Sequence, residues 1–301
     1  MVFLEDIQNE IASLKETRDA VILAHVYQRG EVQVMADYTG DSLELSRRAV
    51  RTDASVIVFC GAEFMAETAA ILNPDKTVLL PSKRAECTLA EMASAAEVEA
   101  RKATLPPETK VVSYVNTFAE VKAVSDICCA SSSAVDVVKS LDGFPVLFVP
   151  DRNLGQYVST SLGREIELWD GYCYVHENIQ PGAIRHMKRL HPEAEVMAHP
   201  ECPPPVIRIS DFVGSTAQML SHASASTSGE FIVGTEDGIL YRLTRENPEK
   251  AFYPVGTVCH GMKSITLPLV RDALAEMKNQ VTVPEKVRIP AKRALDRMLE
   301  L

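Results

Sequence analysis

Cys87, Cys173 and Cys259 stand 86 residues apart in both steps. That interval belongs to a longer repeat. His25, Tyr114 and His199 each precede an aspartate by twelve residues, at Asp37, Asp126 and Asp211. A hydroxyl follows five residues after each aspartate, at Ser42, Ser131 and Thr216. A long fixed period means repeated structural units, and 301 residues hold three of them. Units this small have thin cores, so they are expected to pack on one another.

Within each period, short apolar runs alternate with helical patterns. AVILAH, VIVFC and TVLLP read as strands of the first unit, and VVSYVN, VLFVP and EIELWDGYC as those of the second. EVMAH, EFIVG and AFYPV are those of the third. Such alternation predicts an α/β fold: three repeated α/β/α units with short parallel sheets about a pseudo-threefold axis. The expected boundaries are 20–103, 104–191 and 192–284. A helix over 1–19, with Phe3, Ile7, Ile11 and Leu14 on one face, precedes them. A helix over 285–301, clearest from Pro290, follows them. The segments 88–103 and 176–191 are expected to link successive units as helices.

The bulk numbers exclude several classes. A net charge of −10 argues against a nucleic-acid surface. No apolar run approaches the ~20 residues of a membrane helix. The start, MVFLEDIQNE, is acidic where an export signal is basic, so a cytoplasmic location is expected. Seven cysteines without any C-x-x-C fit a reducing compartment and offer no zinc ribbon.

The repeated positions carry the chemistry. Gly40-Asp41-Ser42, Ser131-Ser132-Ser133 and Gly214-Ser215-Thr216 each open a helix, with Ser42 expected as a cap. One such start reads as a capped helix; three in register read as converging N-termini that hold an anion. Cys60, Cys128 and Cys129 read as small buried apolar residues, and Cys202 is undecided. The in-register Cys87, Cys173 and Cys259 fit either an iron–sulfur cluster with one open iron or a zinc site, for which His176 or His260 would be a fourth ligand. His25 and Tyr27, Tyr114 and Asn116, and His199 and Glu201 are i, i+2 pairs at strand ends, expected to face one site from an extended backbone. Glu201 is the carboxylate among these six, and burial is expected to raise its pKa toward the working pH of a base.

At this point the chain resembles quinolinate synthase, the iron–sulfur enzyme family of de novo NAD biosynthesis. The resemblance spans nearly the whole chain and rests on ILAHVYQ, ADYTGDSLELSRRA, FMAETAAILNPDK, SYVNT, DRNLG, GYCYVH, HPEC, SDFVGSTAQM and VCHGMK. It implies a [4Fe–4S] cluster on Cys87, Cys173 and Cys259. The implied reaction condenses iminoaspartate with dihydroxyacetone phosphate to quinolinate, releasing phosphate and two waters. Iminoaspartate would come from an L-aspartate oxidase or aspartate dehydrogenase. His25, Ser42, Ser131, Ser215 and Thr216 would bind carboxylates or phosphate. Tyr27, Tyr114, Asn116, His199 and Glu201 would orient intermediates and move protons, with His176 at the site's edge. Val26 and Tyr172 depart from the family's usual Asn and His, and no C-x-x-C follows Cys259. The competing classes are another three-cysteine hydro-lyase and a non-catalytic iron–sulfur sensor.

Overall fold

A computed structural model describes residues 2–301 of the protein, with side chains from residue 4 onward. The place expected for the Phe3 side chain lies outside the described residues. Among the described residues, twelve strands form three four-stranded sheets, every strand pairing parallel. The first sheet holds β1 Ala20–His25, β2 Tyr38–Gly40, β3 Val56–Cys60 and β4 Thr77–Leu79. The second holds β5 Lys110–Tyr114, β6 Ile127–Cys129, β7 Val146–Val149 and β8 Glu167–Leu168. The third holds β9 Glu195–Ala198, β10 Phe212–Val213, β11 Glu230–Gly234 and β12 Ala251–Pro254. Each sheet has the same order, with the second strand at one edge, then the first, third and fourth. The predicted α/β architecture of three repeated units is therefore observed. Strand β3 is buried along its whole length, as a parallel strand covered on both faces must be.

The edge strands β2, β6 and β10 were not foreseen. They are only two or three residues long, too short for a pattern, and each follows the repeated aspartate directly. That aspartate is what builds the edge. Asp37, Asp126 and Asp211 each accept a 2.8 Å hydrogen bond from a backbone N–H of the unit's first strand: Ile22, Val111 and Val196. In return each donates its own N–H to the carbonyl of the same residue at 2.9 Å. An N–H at a sheet edge would otherwise lack a partner, and the carboxylate supplies one with charge assistance.

The units share cores, as their size predicts. Phe59 and Met65 of the first unit lie in one apolar cluster with Met197, Met219 and Phe231 of the third. Leu43, Ile71 and Leu89 join the core of the second, along with Ala291, Leu295 and Met298 of the C-terminal helix. At about 1.5–3 kcal/mol per large buried apolar side chain, separating the units would cost far more than a typical domain can lose.

The helical expectations need several corrections. Residues 88–103 form two short helices, Thr88–Glu91 and Ala95–Lys102, because Ser94 starts the second with a capping box to Glu97. Residues 176–191 likewise divide into Tyr174–Glu177 and Pro181–Leu190, with proline opening the second. The C-terminal helix begins at Glu285, with Pro290 inside it. Helix Leu267–Glu276, not anticipated, packs against the N-terminal helix Val2–Arg18. Ile7 and Ile11 of that helix are buried, while Leu14 is partly covered. Among the described residues no helix is long and apolar enough to cross a membrane.

Candidate active site

The carboxyl ends of the three sheets face one cleft of about 690 Å³ of atom-free space, part of it open to solvent. All three units line it. His25, Tyr27, Tyr114, Asn116, His199 and Glu201 are all at its wall, as are Ser42, Ser131, Thr216, His176 and the three repeated cysteines. Ser215 is the one predicted site residue that does not line it; it is fully buried as a helix cap.

The strand-end pairs meet in the cleft, but not through an extended backbone. Each histidine turns back on its own chain: His25 Nδ1 accepts from Tyr27 N–H at 3.2 Å, and His199 Nδ1 accepts from Glu201 N–H at 3.3 Å. These bonds leave Nε2 to carry the proton of each neutral ring. Burial lowers the pKa of both histidines to about 3, against the pull of Glu201. Tyr114 occupies the equivalent place in the second unit and has no ring nitrogen to offer. Its neighbour Asn116 has a buried side-chain oxygen with no partner in the protein.

Five buried side chains form a continuous hydrogen-bonded chain across the cleft. Tyr27 Oη lies 2.6 Å from Thr235 Oγ1, which lies 2.8 Å from His176 Nε2. His176 Nδ1 lies 2.8 Å from Glu201 Oε2, and Tyr114 Oη donates to Glu201 Oε1 at 2.6 Å. The His176 and His199 rings stack at 4.6 Å. The expectation that burial raises the Glu201 pKa is overturned. Burial does act in that direction, but the pull of His176 and His199 and the hydrogen bonds from His176 and Tyr114 oppose it and hold the carboxyl below the ordinary carboxylate range. Glu201 is therefore ionised and can only accept, so His176 Nδ1–H and Tyr114 O–H both point to it. The Thr235 hydroxyl stands between His176 Nε2 and Tyr27 Oη, within hydrogen-bond reach of both, and can donate to one while accepting from the other.

The helix starts differ from one another. Asp41, not Ser42, caps helix Ser42–Arg51, in a capping box with Glu44 at 2.9 and 3.1 Å. Ser215 caps helix Thr216–Ala225 in a box with Gln218, so Thr216 is the first helical residue. Helix Ala134–Ser140 has no side-chain cap; Ser133 Oγ accepts from Ala130 N–H instead. Ser42 and Thr216 are freed from capping by the residue before them, and their hydroxyls remain at the cleft. Among the described residues no lysine or arginine lines the cleft, although Lys263 Nζ pairs with the lining Glu236 at 3.0 Å. Burial, reinforced by Glu44 but opposed by a backbone N–H, lifts the lining Asp41 to about 6.

Cys60, Cys128, Cys129 and Cys202 are fully buried, and Cys202 donates its S–H to the Gly234 carbonyl at 3.4 Å. Cys87, Cys173 and Cys259 are partly exposed at the cleft. Among the described residues, the one trio of metal-ligand atoms within 4.8 Å of each other is Cys173, His176 and Glu201. The three repeated thiols come one from each unit to the same cleft, and cysteine sulfurs are the donors that an iron–sulfur cluster takes. His260 is exposed and stacks on Tyr174 outside the cleft wall, so it is no fourth ligand.

Two carboxylates and a threonine were missed. Asp151 Oδ2 accepts from Cys173 N–H at 3.1 Å, and Glu236 Oε1 accepts from Cys259 N–H at 3.1 Å. Both are buried and stand two residues beyond the third strand of their unit. Ala62 holds that place in the first unit. Aligning the ends of the third strands would have found this pair, and Thr235 one residue earlier.

The comparisons with known proteins agree with this geometry. The family described as "NadA: Quinolinate synthetase A protein" matches residues 9–300. A quinolinate synthase of Desulforudis audaxviator is 51% identical, covering 99% of each chain. Quinolinate synthase 2 of Methanosarcina acetivorans is 50% identical over 100% of this chain and 98% of its own. A quinolinate synthase of Dehalococcoides mccartyi is 51% identical over the whole of both chains. With a full-length match on this scale, and the repeated cysteines gathered at one cleft, the chain belongs to the quinolinate synthase family.

Proposed function

We propose that the chain condenses iminoaspartate with dihydroxyacetone phosphate to quinolinate, releasing phosphate and two waters. Cys87, Cys173 and Cys259 would hold a [4Fe–4S] cluster. When bound, the cluster supplies an iron without a protein ligand, a Lewis acid for a substrate hydroxyl or carboxylate. Iminoaspartate would be delivered by an oxidase or dehydrogenase acting on aspartate in the cytoplasm.

The observation that carries this reading is the hydrogen-bonded chain from Tyr27 to Tyr114. Ring formation needs a carbon acid deprotonated and two hydroxyls expelled, so protons must be held and returned at defined atoms. Glu201, already ionised, orients His176 and Tyr114, and the His176–Glu201 pair takes up the proton as a unit. Thr235 passes a proton between His176 and Tyr27, whose phenol donates to a departing oxygen. His25 and His199 present Nε2–H, and Ser42, Ser131 and Thr216 present hydroxyls, to substrate carboxylates and phosphate. Asn116 offers its unpartnered oxygen to a donor on the substrate. These groups supply what a cleft without lysine or arginine lacks for binding polyanions.

The test is anaerobic reconstitution with iron and sulfide, followed by assay for quinolinate. Glu201→Gln and Tyr27→Phe are expected to retain the cluster and bind substrates, yet stall at different species. Quenching and identifying the bound compounds reads this out. Normal turnover by Glu201→Gln would move the base elsewhere, first to His199.

A further inference from the structure

We propose that Lys122 is a positioning residue for the second unit's share of the cleft: its buried amine holds the Thr117 carbonyl and so sets the turn that presents Tyr114 and Asn116. That these two side chains meet substrate rests on the reaction proposed above. That Lys122 sets their turn does not.

The three units close the equivalent turn by different bonds. In the first, Gln28 N–H bonds the His25 carbonyl at 2.9 Å, and in the third Cys202 N–H bonds the His199 carbonyl at 2.9 Å. Each of these turns is closed a second time by histidine Nδ1, which accepts the N–H two residues on. Among the described residues the second unit has neither bond, since Tyr114 stands where the histidines do. Side chains hold its turn instead. Thr117 Oγ1 donates to the Tyr114 carbonyl at 3.0 Å, and Lys122 Nζ donates to the Thr117 carbonyl. Glu67, on helix Glu63–Leu72 of the first unit, accepts from Ala119 N–H at 2.9 Å and fixes the far end of the segment.

Packing alone does not account for a lysine at this place. Lys122 is fully buried in the short helix Ala119–Ala123 and turns back over the residues that precede it. Among the described residues its amine has no carboxylate partner, and its hydrogen bond is the one to Thr117. Burial pushes its pKa below the ordinary lysine value, with Glu67 among the groups that oppose the shift. A buried, unpaired amine is costly, and an apolar side chain would fill the space at less cost. The bond to the Thr117 carbonyl is what the lysine adds. Its Nζ lies 5.6 Å from the centre of the Phe64 ring, and Phe64 lines the cleft. The amine therefore stands one side chain behind the wall. Without it the turn has no backbone bond to fall back on. Tyr114 then loses its fixed 2.6 Å approach to Glu201, and the unpartnered Asn116 oxygen loses its direction. The three repeated cysteines lie on other loops and keep their places.

The experiment uses the full chain, loaded with cluster anaerobically and labelled with 3-fluorotyrosine. The fluorine resonance of Tyr114 is assigned by its loss in Tyr114→Phe. Lys122→Met, similar in length but without a donor, is expected to shift that resonance while iron and sulfide per chain stay unchanged. The same variant should weaken quinolinate binding by at least about tenfold, as loss of bonds to a charged ligand does. Adding Asn116→Ala to Lys122→Met should weaken it by less than about twofold more, because the turn is already released and the two changes act as one. Thr117→Val keeps the shape of the side chain, removes its bond to the Tyr114 carbonyl and should shift the same resonance; it carries the test if Lys122→Met does not fold. An unmoved Tyr114 resonance would overturn the proposal. So would additive losses with Asn116→Ala, or loss of the cluster, since Lys122 would then support the fold at large. A shifted resonance in a chain that binds no quinolinate would sink the proposed reaction and leave the role of Lys122 standing.

Discussion

The loop that carries Cys87 and the loops that carry Cys173 and Cys259 place equivalent cysteines by different means. In the second and third units a buried carboxylate, Asp151 or Glu236, accepts from the cysteine's own N–H. In the first unit Ala62 stands at that place, and the loop is held by backbone contacts instead. Glu63 N–H bonds the Ala85 carbonyl at 2.9 Å, and Gly261 of the third unit presses on the Glu86 carbonyl. A Cβ at Gly261 would come within 2.2 Å of that oxygen. Divergence of the repeat has therefore changed the support while keeping the cysteine. The Cys173 and Cys259 loops also touch neighbouring units, through Met92 and Tyr174, but each has a carboxylate anchor within its own unit that the Cys87 loop lacks.

The largest effect tests whether the three cysteines are equivalent despite their supports. Serine at Cys87, Cys173 or Cys259 is expected to abolish cluster binding, measured as iron and sulfide per chain, whereas Cys60→Ser keeps it. A cluster retained by Cys87→Ser alone would break the equivalence of the first unit. Next come the supports themselves. Asp151→Ala strands the N–H groups of Cys173 and Leu154. Each buried orphan costs about 1–3 kcal/mol, readable by denaturant unfolding. Gly261→Ala overpacks the first loop for roughly 1–3 kcal/mol, in a residue that belongs to the third unit. If it leaves stability unchanged, the Cys87 loop is not held across the unit boundary.

A smaller effect separates the outer units from the middle one by pH. His25 is buried with its pKa near 3, below its ordinary 6.5, so the folded state binds fewer protons than the unfolded one. Its contribution is complete above pH 6.5 and is lost as pH falls toward 3. The loss is at most about 1.4 kcal/mol per pH unit for each such ring. His199 adds a similar term, while Tyr114 in the second unit adds none. Between pH 6.5 and 5, above the ordinary carboxylate range, His25→Asn should flatten the stability profile; an unchanged slope would refute the assignment. The smallest effect concerns the helix starts. Ser42→Ala should change stability by less than about 0.5 kcal/mol, because Asp41 is the cap, while Asp41→Ala costs about 1 kcal/mol. The same Ser42→Ala change should weaken quinolinate binding by roughly 1–3 kcal/mol if its hydroxyl meets a carboxylate. Normal binding would remove Ser42 from the proposed anion site.

Much of this molecule is determined by spacing along the chain. The 86-residue interval of the cysteines and the twelve-residue step from His25, Tyr114 and His199 to an aspartate specify three like units. Apolar runs such as VIVFC specify buried parallel strands, because a strand covered on both faces has no polar side to show. Strand ends collect polar groups that the sheet cannot bury, so His25, Tyr27, Tyr114, Asn116, His199 and Glu201 were legible as a set. Tertiary structure decided what those groups are. Glu201 sits below its ordinary pKa because His176 and Tyr114, distant in sequence, meet it in a buried space where charge and hydrogen bonds outweigh desolvation. Thr235 matters only because Tyr27 and His176 arrive on either side of it. Asp151 and Glu236 differ from other acids only through the N–H groups folded against them. The edge strands β2, β6 and β10 are too short to show a period, and exist because an aspartate supplies a hydrogen bond that no local pattern encodes. Local periodicity thus determined which faces are buried, while protonation, donor direction and metal-ligand spacing arose only when distant segments came within hydrogen-bond reach.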